Sequence, residues 1–167
     1  IAVAGLSAGA SMAALLVIRY PDRFKAVAMH SGIPPGTADS TASVMGAMHG
    51  LRLPVALDAC TAWPPLLVIH GGADHTVSSG NGQAAVQLWA DAAGARAGAT
   101  RSVQRGQRYP MSVTDYKRKG RTVATLVVVS RLAHAWSGGA ANKAFSDGKG
   151  PDASRMVWTF AAKQFSG

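Results

Sequence analysis

The stretch IAVAGLSAGASMAALLVIRYP, residues 1–21, decides the fold. Ile1 to Gly5 is a short apolar run closing on glycine, and the alanine-rich segment Ala10 to Tyr20, stopped by Pro21, has helical composition. Between them Gly5-Leu6-Ser7-Ala8-Gly9 fits G-x-S-x-G in the strand, turn, helix context that the motif requires. A serine at the apex of such a turn projects its hydroxyl above the sheet. Side chains two residues before and after it are expected to collide with neighbouring backbone, and Gly5 and Gly9 remove them. The backbone N–H of Ala8, at the mouth of a helix whose dipole favours negative charge, can donate to a developing oxyanion. A phosphate-binding turn is the competing reading, but G-x-G-x-x-G and G-x-x-x-x-G-K-[ST] are both absent.

Outward from this unit, Ala26 to Met29 reads as a second apolar strand. A loop rich in Pro, Ser and Thr follows, with a short helix near Ser40 to Met48. Leu66 to Ile69 reads as a third buried strand, and Gln83 to Ala93 as an amphipathic helix stopped by Gly94. The basic stretch that comes next reads as an irregular hairpin. Thr122 to Val129 is β-branched and apolar on both faces, as expected of a parallel strand covered by helices on each side. Ala153 to Phe165 closes the chain with apolar residues at helical spacing. Strands alternating with helices imply an α/β fold with a mostly parallel, doubly wound sheet, its functional groups on loops at the carboxyl ends of the strands.

A nucleophilic serine needs a base, and the base an orienting carboxylate, in the chain order Ser, Asp or Glu, His for this fold. Asp74 lies in His70-Gly71-Gly72-Ala73-Asp74 just after the third apolar strand, and His134 follows the last one in Leu132-Ala133-His134-Ala135-Trp136. Both loops open on the edge that carries Ser7. A turn-capping aspartate and a structural loop histidine are the alternatives. His30 and His70 precede the acid at strand ends, His49 lies in an irregular region and His75 adjoins Asp74, so order favours His134. Trp136, two residues past the base, reads either as an apolar wall for substrate or as core packing.

Composition narrows the rest. The 167 residues, 48% apolar, suit a single domain with a real core. No uninterrupted apolar run is long enough to span a bilayer. The net charge is +9, from 17 Lys and Arg against 8 Asp and Glu. Arg101, Arg105, Arg108, Lys117, Arg118, Lys119, Arg121 and Arg131 fall in one stretch, with only Tyr109 and Tyr116 among them for base stacking. A solvated, strand-rich excursion is favoured over a nucleic-acid platform. The lone Cys60 excludes an internal disulfide or a multi-cysteine metal site in the chain.

With Ser7, Asp74 and His134 in hand, the chain resembles the esterases of the poly(3-hydroxybutyrate) depolymerase type, which include related feruloyl and acetyl-xylan esterases. The matching segments are GLSAGASMAALL at 5–16, YPDRFKAVAMHSG at 20–32, HGGADHTV at 70–77, VTDYKRKGR at 113–121, HAWSGG at 134–139 and GPDASRMVWTF at 150–160. HAWSGG with the later GPDA is the most specific pair. The resemblance implies an α/β-hydrolase in which Ser7 is nucleophile, Asp74 acid and His134 base. It implies ester hydrolysis through an acyl-enzyme without metal or organic cofactor, on a small or polymeric ester, in an extracellular setting. It also implies that residues 1–167 are the carboxyl-terminal part of one catalytic domain. Further strands and the second oxyanion donor are then expected upstream. Two rivals stand against this reading: an α/β binding module with an incidental triad, and a nucleotide-binding α/β protein.

Overall fold

The computed structural model describes residues 1–55 and 62–165; Cys60 lies outside the described residues. Among them, seven strands form one sheet in the order β1-β2-β3-β7-β6-β4, with β5 also on β6. β1 (Ala2–Leu6), β2 (Ala26–His30), β3 (Leu66–Gly71) and β7 (Arg121–Val129) run parallel. β6 (Met111–Arg118) returns antiparallel to β7, and β4 (Arg96–Ala97) and β5 (Arg101–Val103) lie antiparallel along its outer edge. β7 is therefore parallel on one side only. The basic excursion is a regular ribbon with one irregularity at Tyr116/Lys117, tied down where Asp115 accepts from Arg101 Nη1 and Thr125 Oγ1, both at 2.8 Å.

Helices cover both faces. α1 (Ala8–Arg19) buries Ala10, Ala13, Ala14 and Val17, a spacing of three and four that makes one stripe, and its small side chains let it lie close on β1 and β2. α3 (Gly80–Ala93) joins it on that face through Ala85, Val86 and Trp89, and ends at Gly94, whose φ of 64° is the left-handed cap glycine favours. α4 (Ala153–Phe165) packs on the opposite face through Ala153, Met156, Val157 and Phe160. The short α2 (Thr41–Met48) begins on a reciprocal Ser40–Ser43 capping box. Two further short strands, β8 (Trp136–Ser137) and β9 (Ser146–Asp147), pair beside the main sheet. No helix among the described residues is long and apolar enough to cross a membrane.

Candidate active site

The carboxyl ends of the four parallel strands converge on one edge. Ser7 follows β1 directly at φ 56° and ψ −123°, so the turn is held in a conformation that costs a non-glycine residue energy. Its N–H donates to the His30 carbonyl (2.8 Å), and its own carbonyl accepts from Ala10 and Ser11 at the start of α1. A Cβ on Gly5 would strike the Gly9 backbone, which explains that glycine. The second glycine is a correction: a Cβ on Gly9 meets nothing within 4 Å, because the close approach of strand to helix occurs on the Gly5 side. The Ala8 N–H has no hydrogen-bond partner among the described residues, as an oxyanion donor requires.

Asp74 and His134 meet, 60 residues apart in sequence. His134 Nδ1 donates to Asp74 Oδ2 at 2.8 Å, while Asp74 Oδ1 accepts from the N–H groups of Thr76 (3.0 Å) and Val77 (2.8 Å). Burial pushes the Asp74 carboxyl up, but the Val77 N–H and the hydrogen bond from His134 outweigh it, holding the acid below the ordinary carboxylate range. Gly71 lets the two loops touch, since a side chain there would enter the Leu132 carbonyl; Ala73 N donates to the same carbonyl at 3.0 Å. No hydrogen bond joins Ser7 Oγ to His134 among the described residues. Nor does any group of three or more His, Cys, Asp or Glu there form a metal-binding cluster.

Two fully or nearly buried histidines underlie this edge. His70 Nε2 donates to the Val77 carbonyl (2.9 Å) and lies 3.6 Å from Asp74 Oδ2, while its Nδ1 has no partner among the described residues. Burial lowers its pKa, so the Asp74 contact is that of a neutral ring and not an ion pair. His30 Nε2 accepts from the Ser137 N–H (3.2 Å) and its Nδ1 meets Ser31 Oγ (3.1 Å). Burial, with His70 and His134 nearby, lowers its pKa to about 3. In the sequence both histidines compete only as bases; a polar ring closing an apolar strand is the signal that marks them.

Two hollows flank the site. One, of about 340 Å³, is apolar and begins at Ser7 and Ala8, with Met12, Leu15, Ile33, Pro35 and Met48 in its wall. The other, beside His134, is lined by Phe145, Ser146, Asp147 and Lys149. Trp136 is in neither. Its pairing in β8 turns the indole toward α4, where it stacks on His30 (ring centroids 5.0 Å apart) and donates to Ser154 Oγ (3.1 Å). The half-buried indole thus lies against His30 and lines a hollow between β1, β2 and α4. The specific sequence pair is also accounted for: Ser137 Oγ donates to the Pro151 carbonyl (2.6 Å), and Gly138, at φ 76°, allows Asp152 to approach.

Comparison with known proteins extends these observations. Residues 1–106 match the family described as Esterase PHB depolymerase, a span that holds Ser7 and Asp74 and stops short of His134. Among solved structures, the acetyl xylan esterase from Aspergillus awamori is similar, with a TM-score of 0.67 at 18% identity over 80% of this chain and 53% of that one. The chain thus spans about half the length of that structure. Its fold is that of an α/β-hydrolase. A comparison with curated proteins gives no match.

Proposed function

Because this chain belongs to the esterase PHB depolymerase family, we propose that it is a carboxylic-ester hydrolase working through a serine nucleophile and an acyl-enzyme. The observation that carries the reading is the 2.8 Å bond from His134 to a buried Asp74, on the same sheet edge as a serine held in a strained turn. In the proposed mechanism His134 Nε2 takes the Ser7 proton as Oγ attacks the ester carbonyl. Asp74 keeps the imidazole in the Nδ1–H tautomer and stabilises its charge. The oxyanion faces the Ala8 N–H at the positive end of α1. His134 then protonates the departing alkoxide, and water repeats the sequence to release the acid.

The same chemistry orients the substrate. The alkoxide must leave beside His134, so the alcohol portion belongs in the Phe145–Lys149 hollow and the acyl portion in the apolar hollow at Ser7. An ester with an apolar acyl group, free or in a polymer, fits this arrangement. An extracellular substrate, and residues 1–167 as the carboxyl-terminal part of one catalytic domain, complete the proposal; cores on both faces of one sheet support the latter. Diisopropyl fluorophosphate should label Ser7 stoichiometrically, and His134→Ala should abolish the labelling. A serine left unlabelled would favour a binding module built on the same fold.

A further inference from the structure

We propose that His30 is a positioning residue, a bolt that fixes the loop carrying the base His134 to the strand end carrying the Ser7 turn. Nucleophile and base share no hydrogen bond, and none runs directly between residues 5–9 and residues 130–139 among the described residues. Their relation is therefore set by what lies between. On the acid side the base loop is held by Ala73 N–H to the Leu132 carbonyl and by Asp74 itself. On the nucleophile side the shortest bonded path among the described residues passes through one residue: the His30 carbonyl accepts from Ser7 N–H, and the His30 ring accepts from Ser137 N–H. Ser137 stands three residues beyond His134, and its neighbour Trp136 stacks on the same ring.

The ring's chemistry suits this task. Because Nε2 accepts from a backbone N–H, it carries no proton, and Nδ1–H must be the donor to Ser31 Oγ. A neutral imidazole 2% exposed, with both nitrogens engaged and one face stacked, has a single orientation. Ser31 reinforces it: fully buried at φ 52°, it is the second strained residue on this edge, and its N–H continues the ladder to the Ile69 carbonyl. Gly32 completes the contact, since a side chain there would press on Ala10 and the Ser7 carbonyl. Strain gathered beside a site, and held by packing on both sides, is what a rigid support for catalytic groups requires.

The test compares two amides in the 30 position of the protein. In His30→Gln the Oε1 atom reaches the place of Nε2 and can accept from Ser137; in His30→Asn the shorter side chain reaches only toward Ser31. Turnover of a p-nitrophenyl ester rests on the esterase reading. The low-field NMR resonance of the His134 Nδ1 proton bound to Asp74 does not. His30→Gln should keep kcat within about 3-fold of the wild type and retain that resonance. His30→Asn should lose about 10- to 100-fold in kcat with KM nearly unchanged, the scale expected when a reacting group is displaced by about 1 Å, and its resonance should broaden by exchange. Equal behaviour of the two variants, with the resonance unmoved, would make His30 a core residue and overturn the proposal. Should neither variant fold, the wild type decides: a coupling across the hydrogen bond between the Ser137 amide nitrogen and His30 Nε2 is expected, and its absence overturns the bolt. If the wild type neither hydrolyses esters nor reacts with diisopropyl fluorophosphate, the esterase reading fails while the resonance comparison still judges His30.

Discussion

Ser7 has its backbone fully used, N–H to His30 and carbonyl to α1, while its hydroxyl makes no hydrogen bond among the described residues and caps no helix. In the proposed mechanism this hydroxyl is the nucleophile, so Ser7→Ala in the complete enzyme should abolish ester turnover while leaving thermal unfolding unchanged. Residual activity above a few per cent in such a variant would remove Ser7 from the mechanism. Asp74→Asn should lower kcat by up to about 10⁴ through the wrong imidazole tautomer; unchanged rates would point to another acid. The buried histidine His30 adds a pH dependence. Its folded pKa is about 3 against 6.5 for the free side chain, so between those values the unfolded chain binds a proton that the folded chain does not. Its contribution to stability is thus complete above pH 6.5 and is lost as pH falls toward 3. His70, lowered in the same direction, adds to it. Tm should fall steadily between pH 7 and pH 4, and His30→Gln should flatten that slope; an equal slope in the variant would show that other groups set it.

At the scale of elements, the strand-to-helix turn is built on one tight contact and not two. Gly5→Ala should destabilise the protein by about 1–3 kcal/mol, the cost of forcing a methyl into packed backbone, whereas Gly9→Ala should be neutral or stabilising by up to about 1 kcal/mol, since alanine is the better helix former. Urea unfolding of the pair measures the contrast. The α1 and α2 side chains Met12, Leu15 and Met48 line the hollow assigned to the acyl group. Two more buried methylenes are worth about 1.6 kcal/mol, so p-nitrophenyl butyrate should exceed the acetate in kcat/KM by up to about 15-fold. A flat acyl series would take the hollow out of substrate binding. In the ribbon, Arg96 stands opposite Lys117 and Arg118 opposite Arg121, like-charge pairs that oppose strand pairing; the Arg101–Asp115–Thr125 link holds against them.

At the scale of the 167 residues, the consequential feature is the unpaired side of β1. Among the described residues β1 pairs with β2 alone, its other edge leaves backbone groups open, and Ile1 and Trp158, which shares a hollow with Ala2 and Val3, are exposed. Open edges of this kind recruit other strands. The net charge of +9 resists association, but its reach is only about 8 Å at physiological salt. Size-exclusion chromatography of the 167-residue chain should show oligomers whose share grows with ionic strength; a monodisperse monomer at high salt would mean that water satisfies that edge. The α/β class, the places of β1, α1, β2, β3, β7 and α4, and the choice of Ser7, Asp74 and His134 as candidates were legible in the sequence. Each rests on local information: hydrophobic period, a glycine-flanked serine, and loops that follow apolar runs. Three-dimensional packing alone decided that β7 has an antiparallel neighbour and that Gly9 carries no steric duty. It alone turned Trp136 toward α4 and packed His30 and His70 against the loops that carry His134 and Asp74. These depend on contacts between segments up to 107 residues apart, such as Ser137 N–H to His30 Nε2, and no window of sequence contains both partners of such a bond.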